Sequence, residues 1–332
     1  MHEYLIAMLE CPACHGELDW TISERNADHV EEAEARCASC NAVYPIREGI
    51  GMFLTPDLQR HDLWEESETG LNVYLHEHPE IERNLLESPL KKLAPADQFF
   101  LAMVMEERGN YQEARKAGDL AHARLYTKEY RDCFQSQIDY VTNRVSNQNG
   151  PIIDLASGKC YLVEELAREA TSSIVANDFS SRVLRRDRRL FNFLGLADRV
   201  DLLAFDARRT PFKDGAVKTM TTNLGLANIE EPGKLLDELR RVISGELSAI
   251  MSFFPDDDAA NRAAAEKLGI SSFMFSDSTL WLFDEAGFDV ELKNIRKGRA
   301  LPTPRGKLLE GAGIDALPVA ETELEWCTLI AR

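Results

Sequence analysis

From residue 150 onward the chain alternates short apolar or β-branched runs with longer amphipathic stretches. The runs at 151–154, 173–178, 200–205, 217–223, 246–254, 288–295 and 323–331 have strand length. Between them, residues 160–170, 180–195, 231–244 and 276–287 repeat apolar positions at helical spacing. Strands that alternate with helices predict an α/β fold around a largely parallel sheet. The last run follows its predecessor through a Pro/Gly-rich connection without a clear helix, which permits an antiparallel final strand. Upstream the pattern changes. Residues 55–146 are polar and helix-favouring, and residues 1–54 are dense in Cys, Gly and turn signals. The expected division is therefore 1–54, a small ribbon; 55–146, a helical linker or lid; and 147–332, the α/β domain.

The first segment carries "CPAC" at 11–14 and "CASC" at 37–40. Each Cys-x2-Cys pair can bend around one ion, and four thiolates close a tetrahedral zinc site with no open position. Cys11, Cys14, Cys37 and Cys40 are thus the expected ligands of a structural zinc. A redox motif, which needs only one pair, and two disulfides, which a reducing compartment disfavours, are the alternatives. A segment this small buries little core, so the metal is expected to supply much of its folding energy. His15, beside the second cysteine, is expected at the surface.

Composition narrows the partners. The chain has 332 residues, 44% hydrophobic and 28% charged, and a formal net charge of −18. Nucleic-acid affinity rests mostly on neutralising phosphates, so this balance disfavours a large RNA or DNA footprint. No apolar run is long enough to span a bilayer, and a cytoplasmic protein without a membrane partner is expected. All seven histidines lie at or before His122, so a general base in the α/β domain must be a carboxylate, a tyrosine or a visitor from another segment.

The turn "DLASGKC" (154–160) poses the chemical question, because Gly158-Lys159 suggests a phosphate loop. A P-loop would need glycine at 153 and a hydroxyl at 160, where Ile153 and Cys160 stand. A dinucleotide loop would need further glycines, and Asp154 would set an anion near the pyrophosphate. An acid followed by small residues suits a ligand with an amine and no phosphate. Alanine at 156 is a mild change from glycine provided φ stays negative.

Two resemblances follow from these residues. "LIAMLECPACHGEL" and "RCASCNAVYPIREGIGMFL", within 1–54, resemble the small zinc-ribbon proteins that activate tRNA and release-factor methyltransferases, which implies a protein partner for the ribbon. Over 148–332, "DLASGKC", "SIVANDFSSRVLRR", "VDLLAFDARRTPFKDGAVKTM", "TTNLGLANIEEPGKLLDELRRVISGEL" and "LWLFDEAGFDVEL" resemble class I S-adenosylmethionine-dependent methyltransferases, nearest the quinone-biosynthesis and small-molecule group. That resemblance implies a Rossmann-like seven-stranded sheet with an antiparallel last strand. It also implies a cofactor-binding set of Asp154, Ala156, Ser157, Gly158, Asp178, Phe179, Asp206, Ala207 and Asn223. Asp178 would accept from the ribose hydroxyls and Asp206 from the adenine amino group. Lys218 and the turn Ser244-Gly245-Glu246 depart from the family pattern.

The expected activity is methyl transfer to a small-molecule acceptor, with no catalytic residue assigned. An RNA acceptor, or a degenerate fold acting as an interaction module, is the runner-up. Tyr126, Tyr130, Phe134, Gln137 and Val141 share one helix face, expected to pack on the sheet, with the two tyrosines as candidates to border the cofactor. His61, His76 and His78 are further base or metal candidates. The basic stretches 181–190 and 296–307 read as a solvated helix face and a loop that could receive an anion.

Overall fold

The computed structural model describes residues 1–58, 71–309 and 312–332. Within them one sheet of eleven strands runs through the molecule. The N-terminal segment supplies β1 (Leu18–Asn26), β2 (His29–Cys37), β3 (Val43–Arg47) and β4 (Ile50–Met52). The C-terminal segment supplies β5 (Ile152–Asp154), β6 (Ile174–Asp178), β7 (Val200–Ala204), β8 (Val217–Asn223), β9 (Ile243–Phe253), β10 (Val290–Ala300) and β11 (Thr322–Ala331). The order is β1-β2-β3-β4-β7-β6-β5-β8-β9-β11-β10.

Strands β5 to β9 pair in parallel, and β11 runs antiparallel to both β9 and β10, as the Pro/Gly-rich connection permits. The sequence departs from strict alternation because the parallel strands are buried on both faces: β5 and β7 are buried at every position. The chain leaves β5 toward β6 on one side and reaches β8 on the other, so the order reverses there. In open α/β sheets that reversal opens a crevice at the carboxyl ends of the strands.

The ribbon does not stand apart. Its last strand, β4, pairs in parallel with the edge strand β7, matching Ile50 with Leu202, Gly51 with Leu203 and Met52 with Ala204. The backbone N–H of Phe53 then donates to the Ala204 carbonyl at 2.7 Å. One hydrophobic cluster accordingly contains Leu5, Ala35, Ile46 and Phe53 together with Val175, Leu203 and Phe205. Gly51 is required by this approach: a Cβ there would sit 2.7 Å from Leu203 Cδ2 and 2.8 Å from Phe53 Cε2.

The middle segment is helical at 71–77 and in α1 (Pro79–Glu87), α2 (Pro95–Glu107), α3 (Tyr111–Leu125) and α4 (Lys128–Val145). Helices α1 and α2 share a cluster of their own with Leu309 from the β10–β11 connection. The buried Asp97 carboxylate fastens that connection by accepting from the backbone N–H groups of Lys307 and Leu308 at 3.0–3.1 Å. Helix α4 instead packs on the sheet through Ile138, Val141 and Val145.

The remaining helices are α5 (Tyr161–Glu169), α6 (Ser181–Leu194), α7 (Pro232–Val242), α8 (Ala259–Leu268) and α9 (Ser276–Glu285). Helix α6 starts where the Ser180 side chain accepts from the Val183 N–H, and it stops at Gly195, φ +69°. No helix among the described residues is long and apolar enough to cross a membrane.

The basic stretch 181–190 is only in part the solvated face expected of it: Arg185 and Arg189 are exposed, while others meet protein partners. Arg186 is buried; Arg188 pairs with Glu31 at 3.1 Å and Glu48 at 3.4 Å on the ribbon; Arg182 and Arg189 each reach Glu107 of α2 at 3.5 Å. Acidic neighbours from two other segments pair with Arg182, Arg188 and Arg189, so α6 joins the three parts.

Candidate active site

The loop after β5 is built around backbone strain. Ala156, Gly158 and Cys160 all have positive φ, at +52°, +52° and +57°. The condition under which alanine would be a mild change from glycine, a negative φ, is therefore not met at Ala156. A non-glycine residue in that region costs about 1–2 kcal/mol, and surrounding bonds must hold it there. Asn177 supplies them. Its Oδ1 accepts from the Ala156 N–H at 3.3 Å, and its N–H donates to Ser157 Oγ at 3.1 Å. Its Nδ2 donates to the carbonyls of Leu203 and Phe205 at 3.1 and 3.0 Å. One buried amide thus ties the ends of β5, β6 and β7 together. The only sequence signal for it is a polar residue inside the apolar run "SIVAN". Arg186 adds a second brace, donating to the Gly158 carbonyl at 2.8 Å.

Above this loop lies a cavity of about 970 Å³. Eight of the nine residues assigned to cofactor binding from sequence line it: Ala156, Ser157, Gly158, Asp178, Phe179, Asp206, Ala207 and Asn223. Asp154 does not. It is buried beneath the loop, where its Oδ1 accepts from Thr221 Oγ1 at 2.7 Å. Burial pushes its carboxyl up to about 7, against the pull of the Thr221 and Ser157 hydrogen bonds. It shapes the floor and does not face the cavity.

The polar wall is unequally prepared. Asn223 Oδ1 is buried and has no hydrogen-bond partner among the described residues, which suits a donor on a bound ligand. Asp178 Oδ1 accepts from the Ser180 N–H at 2.8 Å. Asp206 is clamped by Arg208, whose Nε and backbone N–H reach Oδ1 at 3.0 and 2.9 Å while its second nitrogen reaches Oδ2 at 2.8 Å. Arg208 also contacts Glu230 and Glu231. Gly225 after β8 approaches so closely that a Cβ would lie 2.8 Å from Ala156 Cβ.

The opposite wall comes from the helices and is aromatic. Phe99, Tyr126, Tyr130, Phe134 and Tyr161 line the cavity, with Met103. Tyr126 is not on α4 but in the turn before it, stacked on Tyr130 with centroids 4.7 Å apart. Tyr130 and Phe134 set their edges against the buried Trp326. They therefore both pack on the sheet and border the cavity. Gln137 packs on the sheet as expected, buried, donating to the Asn294 carbonyl of β10 and accepting from Thr328 of β11, and it does not border the cavity. The middle segment is tied to the loop by Lys159–Glu106 at 3.4 Å and to α5 by the Arg115–Glu164 pair.

His76 and His78 do not line the cavity, and His61 lies outside the described residues. None of residues 296–307 lines it either; Arg299 pairs with Glu321 and Lys297 with Glu323 across β10 and β11.

At the far side of the ribbon the four predicted cysteines converge. Cys11 and Cys40 Sγ are 3.6 Å apart, Cys14 and Cys37 Sγ 3.4 Å, and all four lie within 4.8 Å of one another. The edges of a zinc–thiolate tetrahedron with about 2.3 Å bonds are about 3.8 Å, so the set fits that ion and no pair is bonded as a disulfide. Burial raises the Cys37 thiol, but the N–H groups of Cys40 and Ser39, 3.4 Å from its sulfur, outweigh it and bring it down to about 6. His15 is turned away onto Glu10 at 2.7 Å.

This architecture can be set beside known proteins. Residues 153–246 match the methyltransferase domain family, and residues 2–49 match the Trm112p-like protein family. The chain carries a Trm112p-like module and a methyltransferase domain. A demethylmenaquinone methyltransferase of Clavibacter sepedonicus is 40% identical over 92 residues, 28% of this chain and 36% of that one. The ubiquinone/menaquinone biosynthesis C-methyltransferase of Rickettsia prowazekii is 24% identical over 186 residues, 47% of this chain and 75% of that one. Among solved structures, the YcgJ protein of Bacillus subtilis superposes with a TM-score of 0.48 at 12% identity, covering 59% of this chain and 97% of that one. The chain spans 36% and 46% of the first two curated relatives it matches. Within the methyltransferase domain, the matched stretch runs from β5 and the strained loop through β8 and α7 to the start of β9.

Proposed function

We propose that this chain transfers a methyl group from S-adenosylmethionine to a small aromatic acceptor of the quinol type. One observation carries the reading: the carboxyl ends of parallel strands set Asp178, Asp206 and the unpartnered Asn223 around one cavity at the reversal of strand order. At about 970 Å³ the cavity is near the top of the range of about 300–1,000 Å³ for small-molecule sites, which leaves room for cofactor and acceptor together. S-adenosylmethionine, when bound, supplies an activated methyl group. Ala156, Ser157 and Gly158 hold its methionine end, Asp178 its ribose, and Asp206, Ala207 and Asn223 its adenine side. The aromatic wall excludes water and aligns the acceptor, which is most of what such a displacement needs.

The quinol class is favoured by the aromatic wall and by the demethylmenaquinone methyltransferase relatives. An RNA acceptor is disfavoured by the net charge of −18 and by the pairing of the α6 arginines with Glu31, Glu48 and Glu107. The four cysteines hold a structural zinc. The ribbon's partner is the chain's own domain, reached in cis through β4. The segments 1–54, 55–146 and 147–332 act as ribbon, lid and catalytic domain. Incubation with radiolabelled S-adenosylmethionine and 1,4-naphthohydroquinone tests the reading. Label in the organic extract is expected; label only in added RNA, or in neither, overturns it.

A further inference from the structure

The only imidazole in the cavity wall among the described residues comes from the lid. His122, in the last turn of α3, lies with its ring between Tyr126, 4.8 Å away, and Phe134, 6.3 Å away. Neither ring nitrogen has a hydrogen-bond partner among the described residues. The other member of the site is Arg131 on α4, which also lines the cavity. Its Nε is buried and unpartnered, and its guanidinium meets no carboxylate among the described residues. A lone imidazole beside an unsatisfied guanidinium donor is a poor arrangement for stability alone. It is a good one for an acidic hydroxyl, which the first can deprotonate and the second can hold as an anion.

We infer that His122 and Arg131 form the binding site for an acidic hydroxyl of the acceptor, with His122 as its general base and Arg131 as the donor to the oxyanion. This rests on the aromatic-acceptor reading above and specifies its chemistry. The acceptor O–H bond breaks, its electron pair stays on oxygen, and the proton goes to the free imidazole nitrogen. The imidazolium and the oxyanion so formed carry opposite charges, so the proton transfer leaves the cavity's net charge unchanged.

The surroundings fit a base that is neutral before it acts. Burial lowers the His122 pKa, the charge of Arg131 lowers it further, and Asp119 on the same helix opposes them. Of the other groups nearby, Tyr126 donates to Asp315 at 2.7 Å, and Tyr126, Tyr130 and Tyr161 are all held protonated by burial. None of the three competes as a base near neutral pH.

A chromogenic phenol tests the site without turnover. The full-length protein is titrated with 4-nitrophenol at pH 7, and the bound phenolate is read by its visible absorbance. Free 4-nitrophenol is already partly ionised at this pH, so the readout is the gain in phenolate absorbance over the same phenol without protein, and a gain is expected with wild type. Arg131→Gln should weaken phenolate binding roughly ten- to a hundredfold, the worth of one hydrogen bond to a charge. His122→Gln should shift the onset of the band to higher pH. Thermal melting shows that each variant is folded. A bound phenol with the same ionised fraction in all three proteins, or no phenol binding by wild type, overturns the proposal. S-adenosylhomocysteine binding, measured separately, reports on the methyltransferase reading: its failure with a normal phenolate response would sink that reading and leave this site standing.

Discussion

Ala156 occupies a backbone conformation that glycine would adopt freely, and Cys160 and Leu224 beside the same cavity do likewise. Strain of this kind persists where neighbours over-determine it, here through Asn177 and Arg186. Ala156→Gly is therefore expected to stabilise the protein by about 0.5–1 kcal/mol in urea denaturation, the relief of strain exceeding the added entropy of the unfolded chain. Equal or lower stability would show that the loop is not strained. Asp154 makes a second residue-scale prediction. Its folded pKa of about 7 lies above its ordinary 3.8, so the folded state holds the proton more tightly. The stability it contributes is full below about pH 4 and is lost as pH rises through about 7. Asp154→Asn should remove that loss, making the variant more stable relative to wild type at pH 8 than at pH 5 by on the order of 1–4 kcal/mol. A pH-independent difference would contradict the buried carboxyl.

At the scale of elements, the most informative contact is the parallel pairing of β4 with β7, which turns the ribbon into an extension of the sheet. Gly51→Leu puts a side chain where even a Cβ meets Leu203 and Phe53. It should cost about 1–3 kcal/mol and raise hydrogen exchange along β7. Wild-type exchange would mean that the ribbon docks some other way. The strands after residue 150, and every longer helix there except one, were legible in the sequence, because apolar runs and helical spacing report burial directly. Helix α8 was missed: "AANRAAAEKL" is a strong helix former, but its buried residues, Asn261 and Ala265, leave no apolar stripe to read. The pairing of β4 with β7 was also invisible, since a three-residue strand has too little pattern to name its partner. Of the cavity wall, Asp178, Asp206 and Asn223 were named in advance through the family resemblance of their strand-end motifs, and all three line the cavity. Asn177, Arg186 and the inward turn of His122 were not. Each depends on which distant segment arrives beside it, and local spacing carries no record of that.

For the whole molecule, ribbon, lid and sheet share their loads. The ribbon and the sheet hold one hydrophobic cluster, α6 carries arginines to both ribbon and lid, and Asp97 ties the lid to the β10–β11 connection. Loss of the metal should then be felt in the catalytic domain. Removing zinc with a chelator is expected to lower the melting temperature of the entire chain in a single transition, because structural sites of this type contribute on the order of 10 kcal/mol. Two separate transitions, with the later one unmoved, would show that the domain does not depend on its ribbon. Methyl transfer by this chain requires the cavity to hold S-adenosylmethionine despite Ala156, Cys160 and the Arg208 clamp on Asp206. Calorimetric titration of the zinc-loaded protein with S-adenosylhomocysteine measures this most directly. Saturable binding at one site per chain, weakened at least tenfold by Asp178→Ala, is the predicted result; no heat of binding to the folded, zinc-loaded protein would contradict it.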